Sequence, residues 1–311
     1  MRARLPHGLF SQATTQVIVF LLLANTSYTR TITYLRIDRP TLEKYLRKAP
    51  AEADRPKTLK ILFRHAGCDP DKIREQPVTG EVVPNVTCVL PGTQPEGTRR
   101  TIVIGAALSD HNLNQSESSS WVTPMMLRLL AESVGSVPHQ NDVVFVAFAG
   151  SDEGKTGFSW YLDHLTAKER KNISAMVFLK SIGIGFPSCS VAKADANRLA
   201  DYVTTAARTL QLPSPPALPQ DEFQVQELDH WRIPGVVFNS LLTEAMIDYS
   251  LDGEPHLKAL DASVQLQRVD QSYNLLCVYL LYLDDLFGPK HRKGIDAFGP
   301  EIQLDVREQP V

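Results

Sequence analysis

Short, continuously apolar runs alternate along the chain with longer segments whose apolar residues recur at helical spacing. Asn85–Leu90 (NVTCVL) is rich in β-branched residues and meets Pro91-Gly92, which predicts a strand stopped by a turn. Residues 101–105 (TIVIG) form a continuous apolar run of the kind buried on both faces of a sheet, Asp142–Phe148 (DVVFVAF) is the strongest strand signal in the chain, and residues 173–178 and 235–238 read as two more. Helical spacing predicts helices over 122–134, with Pro124 accommodated in the first turn, and over 158–165, 194–210 and 272–287. Residues 38–47 read as an earlier helix, with Asp38 placed to cap it and Leu42, Tyr45 and Leu46 on one face, whereas 58–66 fits strand or helix. Residues 213–219 (PSPPALP) are a surface connection that no helix can cross. Strands separated by helices predict an α/β fold with a mostly parallel central sheet flanked by helices on both faces. In such a fold the chemistry sits beyond the carboxyl ends of the strands.

The first thirty residues follow a different pattern. Arg2 and Arg4 precede an apolar stretch at 17–24 (VIVFLLLA), and small and polar residues follow it through Thr29. That is the order of a secretory signal, and the stretch is shorter than the roughly 20 residues that span a membrane. Residues 1–30 are therefore read as a signal peptide or N-terminal apolar segment, 31–288 as one domain and 289–311 as a C-terminal tail, and the expected location is secreted or periplasmic. Cys68 and Cys88 close a short loop that an exported protein can lock as a disulfide, the alternative being two buried free thiols, and Cys189 and Cys277 have no evident partner. Asn25, Asn85, Asn114 and Asn172 each begin an N-x-Ser/Thr sequon, which matters only in a eukaryotic secretory pathway.

Composition narrows the partners more than it names them. The chain has 311 residues, 43% of them hydrophobic and 22% charged, enough for a large core. Its 32 Lys and Arg against 35 Asp and Glu leave a net charge of −3, so no whole-chain basic field recruits nucleic acid. Four cysteines without a CxxC pair exclude a disulfide scaffold and a zinc site of that type. Residues 273–286 (YNLLCVYLLYLDDL) end at Asp284-Asp285 and are too short an apolar run to span, so they read as a core helix and no integral membrane span is expected.

Six segments in order then carry a resemblance: 84–92 (PNVTCVLPG), 101–106 (TIVIGA), 118–133 (SSSWVTPMMLRLLAES), 142–162 (DVVFVAFAGSDEGKTGFSWYL), 173–185 (ISAMVFLKSIGIG) and 232–241 (RIPGVVFNSL). They resemble the successive blocks of the di-zinc aminopeptidase family, over roughly residues 39–286. The resemblance implies a zinc-exopeptidase-like three-layer sandwich. Its active members bind two zinc ions at the strand ends and remove N-terminal residues from peptides.

Two zinc ions need imidazole nitrogen and carboxylate oxygen, with one carboxylate bridging the pair. At the positions the resemblance assigns, those atoms are largely missing. The His position is Ala107, or Leu108 if one residue is inserted, and the acid after it is replaced by Ser109 or survives one place later as Asp110. The bridging Asp falls on Ser119 when Trp121 is matched to the family's aromatic, or on Ser116 otherwise, with Glu117 the nearby carboxylate. The adjacent acids after DVVFVAF, a general base and a ligand, correspond to Ser151 and Asp152, and serine cannot act as that base without a group to take its proton. A one-residue slip makes the pair Asp152 and Glu153, but Gly154 and Gly157 match the family's glycines without a gap. The Asp closing the next strand is Lys180, and the last His is Asn239.

This pattern predicts a catalytically degenerate relative that binds a peptide or protein in the strand-end cleft and needs no cofactor. Lys180 is expected to neutralise Asp152 in place of the metals, the alternative being that it turns to solvent. Asp110, Ser119, Asp152, Lys180, Asp229, His230 and Asn239 are the candidate cleft residues, with Asp229 and His230 equally readable as a surface pair. The competing reading is an active hydrolase of the same family, an aminopeptidase or glutaminyl-cyclase-like enzyme, with zinc in a site rebuilt from Asp110, His111, Asp152, Glu153 and His230. Serine hydrolysis through Ser119 or Ser151, with His230 or His111 as base, finds no G-x-S-x-G elbow in support.

Overall fold

The structure is a computed structural model, and it describes residues 30–36, 40, 43–44, 49–109, 117–150, 154–218, 222–242, 244–249, 255–257, 262–286 and 302–308. Its strands are β1 (Arg30–Arg36), β2 (Ile73–Gln76), β3 (Asn85–Leu90), β4 (Thr101–Ala107), β5 (Asp142–Phe148), β6 (Ile173–Leu179), β7 (Phe186–Val191), β8 (Gly235–Leu241), β9 (Ile247–Tyr249), β10 (Pro255–Leu257) and β11 (Ile302–Glu308). The α-helices are α1 (Arg55–His65), α2 (Glu117–Gly135), α3 (Lys155–His164), α4 (Ala167–Asn172), α5 (Ala196–Thr209), α6 (Phe223–Trp231) and α7 (Ala262–Leu286).

Seven strands form one sheet in the order β2-β3-β5-β4-β6-β8-β7. The four in the middle are parallel, and the flanking pairs β2–β3, β3–β5 and β7–β8 are antiparallel. The apolar runs are continuous because alternate residues fill two separate cores. Ile102, Ile104, Phe145, Val177 and Phe238 pack with Leu59 of α1, Met126 and Leu130 of α2, Val203 of α5 and Leu276 of α7. Val103, Val146, Phe148, Phe178 and Val237 point the other way, onto Phe158 and Leu162 of α3 and Leu228 of α6. On that second face Phe148 and Phe178 stack with centroids 5.7 Å apart, and Phe158 meets both rings edge-on.

The N-terminal ends of the strands are fixed by polar groups that reach the main chain. The buried carboxylate of Asp284 in α7 accepts from Gln140 N at 2.7 Å and from Asn141 N at 2.8 Å, and it also accepts from Asn141 Nδ2. Asn141 Oδ1 accepts from Arg100 N, and the Arg100 guanidinium donates to the carbonyls of Lys171, Asn172 and Ile173 where the chain enters β6.

Several elements differ from the sequence expectation. Of residues 58–66, all but the C-terminal cap Ala66 resolve as helix, within α1, which opens on Arg55-Pro56. α2 starts at Glu117, so Pro124 lies inside it and not in its first turn, and α7 starts ten residues ahead of the expected boundary. The expected helix at 38–47 lies largely outside the described residues, with Pro40, Glu43 and Lys44 helical. The tail read at 289–311 contributes β11, which pairs in parallel with β1 from Arg30↔Ile302 to Arg36↔Glu308. Residues 1–29, including the expected signal, lie outside the described residues.

Cys68 and Cys88 are joined in a disulfide with Cα atoms 6.3 Å apart. Cys189 and Cys277 are free and buried, and burial pushes their thiols up to about 11 and about 12. Two of the four sequons can be placed: Asn85 is fully buried, and Asn172 donates to Thr101 Oγ1. Among the described residues no helix is long and apolar enough to cross a membrane.

Candidate functional site

The parallel strands β5, β4, β6 and β8 end side by side, and the segments leaving them carry the positions that the resemblance marks as functional. β4 runs out through Ala107, Leu108 and Ser109, all buried. Beside it, the backbone after β5 is held by Asn85, whose Oδ1 accepts from Ala149 N at 2.8 Å while its Nδ2 donates to Gly157 O at 3.0 Å. A Cβ on Gly157 would lie 2.4 Å from Ala149 O and from Asn85 Oδ1, so glycine is required there. Gly154 has a φ of +75°, and a Cβ on it would come within 3.0 Å of Ala107 Cα. The two glycines thus allow the start of α3 to lie close to the ends of β4 and β5.

On the other side, Lys180 follows β6 directly, and its amide donates to Phe238 O at 2.8 Å, which sets it next to Asn239 of β8. The Lys180 ammonium lies 2.9 Å from Glu222 Oε2, with the two side chains 14% and 19% exposed. Glu222 Oε1 in turn accepts from Asn239 Nδ2 at 3.2 Å. One carboxylate therefore joins the positions where the resemblance expects an Asp and a His. The chain then turns sharply at Ser181, a buried non-glycine with a φ of 50°, and Ile182 N donates to Thr123 Oγ1 of α2 at 3.0 Å.

A second polar cluster sits where β4 ends and α2 begins. The guanidinium of Arg55, 1% exposed, donates to Leu108 O, to Ser109 Oγ and, at 2.7 Å, to Ser120 Oγ. Neither Glu222 nor Arg55 is evident in the sequence. Glu222 is separated by 42 residues from its lysine, and Arg55 stands in a polar stretch that reads as surface.

Asp229 and His230 are not brought to this site. α6 runs back along β8, so Glu222 at its N-terminus is at the strand ends while Asp229 and His230, in its last turn, are at the start of β8. Asp229 Oδ1 accepts from Lys193 N at 2.6 Å, and His230 is exposed with its ring edge-on to Trp231. Asp110, His111, Ser116, Ser151, Asp152 and Glu153 lie outside the described residues, and Ser119 is described as helical backbone only, in the first turn of α2. The carboxylate that Lys180 meets among the described residues is Glu222.

The described side chains do not fit a zinc pair. Ala107 offers a methyl group, Lys180 a cation, and Asn239 an amide already bonded to Glu222, where zinc requires imidazole or carboxylate ligands. Among the described residues no group of three or more His, Cys, Asp or Glu is placed to hold a metal ion.

No known family profile matches the chain, and no curated protein is significantly similar to it in sequence. Solved structures are similar in fold. The LapA aminopeptidase of Legionella pneumophila aligns with a TM-score of 0.56 at 13% identity, over 91% of this chain and 78% of its own. A glutaminyl cyclase from an Acidobacteriales bacterium aligns with a TM-score of 0.54 at 12% identity, over 81% of this chain and 92% of its own. A zinc aminopeptidase from Bacillus subtilis aligns with a TM-score of 0.49 at 17% identity over 64% of this chain, which spans 49% of that protein's length. The sheet order, the two helical layers and the first two of these alignments together establish that the chain has the zinc-exopeptidase fold.

Proposed function

We propose that this protein is a catalytically degenerate relative of the di-zinc aminopeptidases, which binds a peptide or protein segment at the strand ends and does not cleave it. The observation that carries the reading is the Lys180–Glu222–Asn239 cluster. Exchanging an acid for Lys180 places a fixed positive charge where the family keeps dications, and Glu222 neutralises it without a metal. Asn239, which takes the place of a neutral imidazole, is spent on the same carboxylate. The cluster is partly solvated, and Glu222 meets both Lys180 and Asn239 through side chains, so a ligand's main-chain groups can compete for these two contacts. The pairing of Lys180 with Asp152 expected from the sequence belongs to the same proposal. Export through the N-terminal segment does too, and the Cys68–Cys88 disulfide supports it, because such bonds persist in oxidising compartments.

The test is metal analysis of the purified protein, followed by incubation with a panel of peptides bearing free N-termini. No bound metal, no released amino acid and saturable retention of panel peptides is the expected outcome. Stoichiometric zinc with release of an N-terminal residue, or cyclisation of an N-terminal glutamine, overturns the proposal in favour of an active enzyme with a rebuilt site.

A further inference from the structure

The end of β4 and the start of α2 are where the resemblance places one set of metal ligands, an acid at Ser109 or just beyond it and a bridging carboxylate at Ser119 in the first turn of α2. In a zinc enzyme of this fold those two segments are joined through the metals. Here they are joined by Arg55. Its Nη1 donates to Leu108 O and Ser109 Oγ, each at 3.2 Å, on the β4 side, and its Nη2 donates to Ser120 Oγ at 2.7 Å on the α2 side. The guanidinium carbon lies 5.7 Å from the centroid of Trp121, and Nε points to Pro50 O at 3.5 Å.

We infer that Arg55 is the internal substitute for the metal pair, a guanidinium clamp that holds the β4 end against α2 and fills the electropositive role left by the zinc ions. The inference rests on the proposed loss of metal. Three properties of the group fit the task. It is charged at every accessible pH, so it remains cationic while 1% exposed. Its planar fork addresses acceptors on two segments at once, which a lysine ammonium on its flexible stem does not reproduce. The contacts that bridge the two segments go to a main-chain carbonyl and two hydroxyls, groups that accept from a guanidinium without being deprotonated as zinc ligands are. Arg55 is a positioning residue with no part in any chemical step. Its placement at the first turn of α1 makes that helix, which lies outside the six resembling segments, part of the site.

The experiment compares the wild-type protein with Arg55→Met, Arg55→Lys and Ser120→Ala by thermal unfolding, with and without a chelator or added zinc, and by hydrogen exchange. The wild-type midpoint is expected to ignore both chelator and zinc. Arg55→Met is expected to lower it by roughly 5–10 °C, Arg55→Lys by at least half as much, and Ser120→Ala by a few degrees. Exchange in Arg55→Met should accelerate in peptides covering β4 and the start of α2 and stay unchanged across β6 and β8. If Arg55→Met does not fold, Ser120→Ala carries the same exchange test. A chelator-sensitive wild-type midpoint overturns the metal-free reading itself. A chelator-insensitive wild type whose midpoint and exchange pattern survive both Arg55→Met and Ser120→Ala overturns the clamp alone.

Discussion

The two ends of the central sheet solve the same electrostatic problem with different partners. At the N-terminal ends, Asp284, Asn141 and Arg100 are bonded mostly to main-chain groups, which cannot move without unravelling a strand. At the C-terminal ends of β6 and β8, Lys180, Glu222 and Asn239 are bonded to one another through side chains and remain partly solvated. Backbone partners give stability, whereas side-chain partners can be exchanged for those of an incoming molecule. Under the proposed function, the N-terminal ends hold the fold and the ends of β6 and β8 serve recognition.

Removing the Asp284 carboxylate tests this division most severely. Asp284→Ala removes the acceptor of the buried Asn141 amide and of the half-buried Gln140 amide and is expected to cost about 3 kcal/mol in urea unfolding, without altering peptide retention. Asn85→Ala is next, at about 2 kcal/mol, because Asn85 lies at the C-terminal ends yet is bonded to backbone. If it proves as harmless as an exposed substitution, the distinction between backbone and side-chain partners fails.

The two buried thiols make an alkaline test that touches neither end. Their folded values, about 11 for Cys189 and about 12 for Cys277, lie above the ordinary 9.0, so the unfolded chain releases its protons first. Stability should therefore be full below pH 9 and fall as pH rises toward 11 and beyond. The Cys277→Ala variant should show a shallower decline over that range, measured by urea midpoints at successive pH values. Glu222→Gln is the mildest change. It is expected to alter stability by less than about 1 kcal/mol, since the pair is partly solvated, while shifting the affinity of any retained peptide several-fold. Unchanged affinity would separate this cluster from recognition.

The parts of the fold legible in the sequence are those whose residues are buried on both sides. β4, β5, β6 and β8 announce themselves because each alternate residue enters one of two cores. β2 (IREQ) does not, because it is an edge strand with exposed polar residues, and β7 carries Pro187 and two serines. That Ala107, Lys180 and Asn239 stand where the resemblance expects metal ligands is legible in the sequence. The parts played by Glu222 and Arg55 are not, because both reach the site only through tertiary packing. For Asp229 and His230 the sequence left cleft and surface equally open, because position along the chain does not say which end of β8 a helix turn occupies; α6 puts them at the start of β8.

The β1–β11 pairing bears on how the molecule comes into being. β1 precedes the seven-stranded sheet in the chain and β11 follows it, so this parallel ribbon closes only after every strand of that sheet has been synthesised. Parallel pairing across so long an interval carries a large loop-closure cost and is slow unless the intervening sheet has already brought the two segments near. Closure of the ribbon is thus a late report that the domain between them has folded, and a chain interrupted before residue 302 leaves β1 as an unpaired strand.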